Sequence, residues 1–320
     1  RRVEEKLRNL LALDYPREKL QILVIGDGCT DDSLERAVRA GGSSVKAIPL
    51  AQRQGKAAAL NAGLEHATGE IVVFTDAGIM LEPHSLRRLV AHFSDERIAC
   101  VSGEDYIEGA DSEGLYGRLE LLLRREEARL HSIVGASGCY YAQRRSICRP
   151  FISGMAPDFL SVLITVASGK RALSEPDARG FMTATLSQRA EYRRKVRTFL
   201  RGITALLGNG KLLNPFAFPA FSFVLWSHKL MRWLAPVPML GCLLSAFLLR
   251  EQSFFAFAFA LQVCLYALAV FGLLWQPLSR FTLVRLSAFF LLVNAAALHA
   301  MLLWVRGIRV EVWQPTQRPA

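Results

Sequence analysis

The sequence lacks any paired or metal-like cysteine pattern. Its six cysteines stand at 29, 100, 139, 148, 242 and 264, which argues against a disulfide framework and for free thiols in a reducing compartment. Acidic residues are scarce: 28 against 39 lysines and arginines, for a formal net charge of +11. No nucleic-acid motif and no aromatic interleaving on a basic patch accompany that surplus, so nucleic acid is not the expected partner. The first two hundred residues lack a long apolar run and read as a soluble domain. The basic residues cluster just before an apolar region, which points to a membrane surface and a phosphorylated substrate. The chain opens at Arg1 without methionine or a signal-peptide pattern, and the expectation is a fragment whose N-terminus lies upstream.

What is present is alternation. "QILVIGDG", "VKAIPL", "EIVVFTD" and "IACVSG" are short apolar runs and read as strands. Between them lie helical stretches. In "DDSLERAVRAGG", Asp32 is expected to cap with Glu35 reaching back, and Gly41 to stop the helix. In "GKAAALNAGLEHATG", Ala57, Leu60, Leu64 and Ala67 share a face. In "PHSLRRLVAHF", Pro83 is expected at the first helical position. Strands alternating with helices predict an α/β domain with a mostly parallel sheet, whose ligands sit at the strand ends. Asp27 and Asp76 occupy two such ends.

From Trp226 the chain is mostly apolar. Charge-free runs at about 233–249, 254–275 and 286–304 predict transmembrane helices. The expected division is a domain over 1–202, an interfacial amphipathic segment over 203–232, membrane helices within 233–305 and a basic tail over 306–320. Three crossings from a cytosolic domain would place that tail outside, while its charge favours the cytosol.

Four stretches carry a resemblance. "VIGDGCTDDS" resembles the V-x-D-D-G-S-T-D of family 2 glycosyltransferases, and "RQGKAAALNAGLEHATGEIVVFTDAG" their G-K-x-x-A-L-N-x-G, strand and D-x-D. "GASGCYYAQRRSICRP" resembles their glycine-rich acceptor-side stretch, and "APDFLSVL" their (E/D)-D-(F/Y) helix. The likeness covers nearly the whole chain and is nearest to membrane-bound relatives of cellulose, hyaluronan and poly-N-acetylglucosamine synthases. It implies a GT-A-like nucleotide-sugar-binding domain followed by interfacial and transmembrane helices. The implied activity is inverting transfer from a nucleotide-sugar donor to a glycan or lipid-linked acceptor, with the domain facing the cytosol at the plasma membrane. Synthase-complex subunits are possible partners.

Residue by residue, the resemblance assigns donor binding to Asp27, Lys56 and Asp76, and a divalent cation (Mg2+ or Mn2+) to Asp76. It assigns the general base to Asp158 and the acceptor side to Gly135 and Gly138. On the residues alone, Asp27 fits a turn, Lys56 a solvated lysine, Asp158 a helix cap and "GASGCYY" a turn into a strand. The basic stretch "QRAEYRRKVRTFLRG" places Arg194, Arg197 and Arg201 on one helical face, suited to a diphosphate or to anionic lipid. Cellulose synthases carry Q-x-x-R-W there; this chain carries the R-K-x-R-x-x-x-R-G form. Three acids of the family pattern are replaced, by Gly26, Gly78 and Pro157. Those losses support a rival expectation, a nucleotide-binding scaffold subunit without turnover.

Overall fold

The computed structural model describes residues 2–108, 111–183 and 188–309. Most of the expected basic tail lies outside them. The elements run in chain order: α1 (Arg2–Leu11), β1 (Ile22–Asp27), α2 (Ser33–Gly41), β2 (Val45–Leu50), α3 (Lys56–His66), β3 (Ile71–Thr75), β4 (Met80–Leu81), α4 (Ser85–Ala91), β5 (Ile98–Glu108), α5 (Asp111–Leu130), β6 (Tyr140–Arg144), α6 (Pro157–Ala167), β7 (Arg171–Thr183) and α7 (Gln188–Gly208). Then come α8 (Pro219–Val224), a π-helical turn (Leu225–Leu230), α9 (Met231–Leu234), α10 (Pro236–Leu248), α11 (Ser253–Leu274) and α12 (Thr282–Val305).

The expected mostly parallel sheet is a mixed one. β1 and β2 pair parallel, apart from a five-stranded sheet of order β3-β6-β5-β7-β4. β6 enters between β3 and β5 and runs antiparallel to both, while β5 and β7 pair parallel. The cause is the return from α5: the chain re-enters the sheet at the same end that β3 and β5 leave. The loop before β6 is thereby laid across the tip of β3.

Two helix starts also differ from expectation. Asp32 makes no side-chain cap; its carboxylate lies 2.7 Å from Arg36 Nε, one turn on, in an ion pair. α4 begins at Ser85, and Pro83 sits in the preceding turn, where its carbonyl accepts from the Asp14 amide at 2.8 Å. Proline at the first position is realised instead at Pro157 of α6.

One hydrophobic core joins a sheet face to α6 and α7 and continues into Ala296, Ala297 and Ala300 of α12. α12 packs along α7, its small residues allowing close approach. Phe74 of β3 stacks on Tyr141 of β6 at 4.8 Å between ring centroids, tying the edge strand to its neighbour. α11 and α12 are each long and apolar enough to cross a membrane. The expected first span differs. Its residues belong to a helix pair, Pro219–Leu234 and Pro236–Leu248, bent by 51°, with Pro236 opening the second arm. α7 runs without a break past residue 202 and buries Ile203, Ala205 and Leu206 in the shared core.

Candidate active site

The site grows from the strand tips. Asp27 ends β1, and Gly28 follows with φ 63°. A side chain at Gly28 would meet the backbone of Gln52 and Arg53, with its Cβ 2.5 Å from the Arg53 nitrogen. Glycine therefore lets the loop after β2 close over Asp27. Both oxygens of Asp27 accept backbone N–H groups there, from Gln54 at 2.7 Å and Gly55 at 2.8 Å. Gly55, at φ 91°, turns the chain into α3, so Asp27 fixes where Lys56 begins its helix.

Lys56 reaches across the strand tips. Its Nζ donates to Asp76 Oδ1 at 2.7 Å and to the Gly138 carbonyl at 2.8 Å. Burial pulls the Lys56 ammonium down, but the Asp76 charge outweighs it, and its pKa ends above the ordinary lysine value. Asp76 lies just past β3, and its amide donates to the Cys139 carbonyl at 3.0 Å, because β3 and β6 pair antiparallel. A Cβ at Gly138 would lie 3.7 Å from Asp158 Oδ2. Asp158 occupies the first turn of α6. Lys56, Asp76, Gly138 and Asp158 thus meet, and Asp27 joins them through Gly55.

The arginines divide. Arg194 is held by Glu191, with Nε at 2.7 Å and Nη2 at 2.8 Å from its oxygens. Arg197 is pulled down to about 10 by burial and by Arg201 and Arg194 beside it. Arg201, not among the expected site residues, donates twice to the Met155 carbonyl (3.1 and 2.8 Å). Burial lowers its pKa and the Asp158 charge opposes that. Gly135 stands apart from Asp158. A Cβ there would lie 3.4 Å from Lys229 Nζ and 3.9 Å from Phe159.

Of the missing family acids, Gly26 is explained by packing: a Cβ on it would lie 2.7 Å from the Leu34 side chain of α2. Gly78 is not among the described glycines with left-handed backbone. Sequence reasoning missed two supports of this turn. Buried Lys6 of α1 donates to the Ile79 carbonyl at 2.6 Å, and Asn9 exchanges two hydrogen bonds with the Leu81 backbone, both at 2.8 Å. More than seventy residues separate these partners, and no local pattern marks them.

An α/β domain with a lysine–carboxylate pair at its strand tips, a second carboxylate across a glycine strip and apolar C-terminal helices defines a GT-A-like fold on a membrane-helix base. Residues 1–150 match the family model described as glycosyl transferase family 2. It is similar to an undecaprenyl-phosphate 4-deoxy-4-formamido-L-arabinose transferase of Klebsiella pneumoniae. That match is 40% identical over 74 residues, 22% of this chain and 23% of that protein. It is also similar to a poly-beta-1,6-N-acetyl-D-glucosamine synthase of Staphylococcus aureus, 28% identical over 122 residues, 38% of this chain and 29% of that one. The matches thus span under a third of these relatives. Among solved structures it is similar to a mannosyltransferase from Pyrobaculum calidifontis, solved with GDP-Man and Mn2+. The TM-score is 0.68 at 23% identity, covering 93% of this chain and 83% of that one.

Proposed function

We propose that the chain is an inverting glycosyltransferase. It moves a sugar from a nucleotide-diphospho-sugar to a glycan or lipid-linked acceptor at the membrane, in extracellular polysaccharide synthesis. The supporting observation is Lys56 Nζ bridging Asp76 and the Gly138 carbonyl, with Asp158 on the far side of Gly138. The acceptor hydroxyl attacks the anomeric carbon, the bond from that carbon to the diphosphate oxygen breaks, and the electron pair leaves with the diphosphate. Asp158 takes the hydroxyl proton. Lys56 places a positive charge where the leaving group gains negative charge. Gly138 leaves room for a sugar ring against backbone beside Asp158, while Gly135 lies buried in the same loop against Lys229 and Phe159. Arg194 and Arg197 supply cations from α7.

Among the described residues no three His, Cys, Asp or Glu side chains could together hold a metal. Asp76 still fits a Mg2+-like or Mn2+-like ion as one carboxylate whose partners are donor phosphates and water. Such an ion, when bound, neutralises the leaving diphosphate. The domain is assigned to the cytosolic face of the inner membrane, with the apolar helices as multi-pass anchor.

The test is Asp158→Asn, with transfer measured in membranes from UDP-GlcNAc, UDP-glucose and GDP-mannose and with binding of UDP and GDP. Transfer should fall ~10²–10⁴-fold while nucleotide binding holds. Near-parental turnover removes Asp158 from the mechanism. Binding without turnover in the parent chain favours the scaffold reading.

A further inference from the structure

Beneath the acceptor-side stretch lies a cluster that the chemistry above does not use. Glu127 of α5 is buried, 6% exposed, and takes two donors. Its Oε2 accepts the Val134 amide at 3.0 Å, at the start of the loop that leads to Gly138. Its Oε1 meets His228 Nδ1, 101 residues away in the π-helical turn. His228 Nε2 lies 3.3 Å from Glu120 Oε2, which also accepts from Arg232 at 2.7 Å. Glu120 Oε1 faces Lys229 Nζ at 3.6 Å. Burial pushes the Glu120 carboxyl up, but Lys229, His228 and Arg232 overcome it and hold the group well below its usual range.

The π-turn lies in the first arm of the bent helix pair, ahead of the 51° break. Single π-turns within helices recur at functional sites. This one brings consecutive residues to the loop: His228 to Glu127, and Lys229 to within 3.4 Å of where a Gly135 Cβ would be. The far end of the same loop carries the Gly138 carbonyl, bound by Lys56, and the hydrogen side of Gly138 faces Asp158. The loop therefore spans from the helix pair at one end to the reacting carboxylate at the other.

We propose that Glu127 and His228 are positioning residues that clamp the 133–138 loop to the broken helix pair and so set the acceptor's height against Asp158. The proposal rests on the reading of this loop as the acceptor side. Glu127 touches no reacting atom; it acts through the Val134 amide. A buried carboxylate that loses either donor is left undercompensated, so the loop and the π-turn shift together rather than separately.

Two measurements test the clamp on Glu127→Ala, Glu127→Gln and His228→Phe in the full chain. The first is amide hydrogen exchange over residues 133–138. It should quicken by about tenfold in Glu127→Ala and His228→Phe and less in Glu127→Gln, which retains an acceptor for Val134. The second is the partition of labelled UDP-GlcNAc, UDP-glucose and GDP-mannose between transfer to endogenous membrane acceptors and hydrolysis by water. Transfer over hydrolysis should fall about tenfold with UDP and GDP affinity within twofold of the parent. A merely structural role would lower both routes alike and leave the ratio unmoved, which would overturn the clamp, as would unchanged exchange. If the parent transfers from none of the three donors, the acceptor reading fails and the positioning role falls with it. Parental transfer with an unmoved ratio sinks the clamp alone.

Discussion

Gly78 is one of three residues, with Gly26 and Pro157, that separate this site from the family pattern. Asp76 Oδ1 is taken by Lys56 at 2.7 Å, so a single carboxylate serves both the lysine and any ion. Restoring the second acid with Gly78→Asp returns a carboxylate two residues after Asp76, at a position outside the described left-handed glycines. It should tighten Mn2+ binding in the presence of UDP or GDP by ~1–2 kcal/mol, read by titration calorimetry. An unchanged Mn2+ affinity would show that the position does not face the diphosphate. The companion substitution Asp76→Ala should abolish donor binding; a variant that holds nucleotide and metal like the parent ends the single-carboxylate reading. The places of Asp27, Lys56, Asp76 and Asp158 at strand tips and helix starts were legible as local signals, while their proposed roles rest on the family resemblance. Arg201 was legible only as a member of a helical face, since its neighbour Asp158 comes from another element.

At the scale of elements, α1 is a support for the Asp76 turn. Burial pulls the Lys6 ammonium down to about 8, against partial opposition from Asp76 and Cys139. Unfolded, the same lysine loses its proton near 10.5. Between those values the unfolded chain binds more protons, so this site's contribution to stability rises as pH climbs from 8 to 10.5 and is flat below. The parent's stability relative to Lys6→Met should therefore improve by up to about 3 kcal/mol over that window, followed as the difference between their melting temperatures. A pH-independent difference would place Lys6 in contact with water.

α7 offers a second test at this scale. Burial, with Arg201 and Arg194 beside it, holds Arg197 below the ordinary arginine value, and an anion bound there would oppose that. Arg197→Ala should weaken UDP or GDP binding about tenfold, the worth of one hydrogen bond to a charged group. Arg194→Ala should weaken it as well. Both variants should sediment with membranes as the parent does; release into the soluble fraction with intact nucleotide affinity would instead make α7 a lipid-binding face.

The molecule as a whole combines an α/β domain with helices whose outward faces are apolar and almost uncovered in α11. All six cysteines are free, which makes them reporters. Cys29 is exposed in the loop after β1, and Cys264 is exposed on α11. In inside-out vesicles, an impermeant maleimide should label a chain retaining only Cys29. Burial and the nearby Asp31 and Asp27 raise that thiol's pKa, so the reaction belongs at mildly alkaline pH. A chain retaining only Cys264 should react after detergent and not before. Labelling of Cys264 in sealed vesicles would show that α11 does not span.

By itself the sequence determined four of the strands, the three helices between them, and the apolar tracts. These follow from hydrophobic period, turn residues and span length, all read within about twenty residues. It also determined which acids end the strands. Tertiary structure decided the rest. Only pairing revealed that β6 enters antiparallel between β3 and β5, since strand direction depends on the route of the connection and not on composition. Only packing bent the first apolar tract at Pro236, filled the place of a Gly26 side chain with Leu34, and brought His228 to Glu127 across 101 residues. Buried charges find partners wherever the fold places them, and a linear pattern carries no record of that distance.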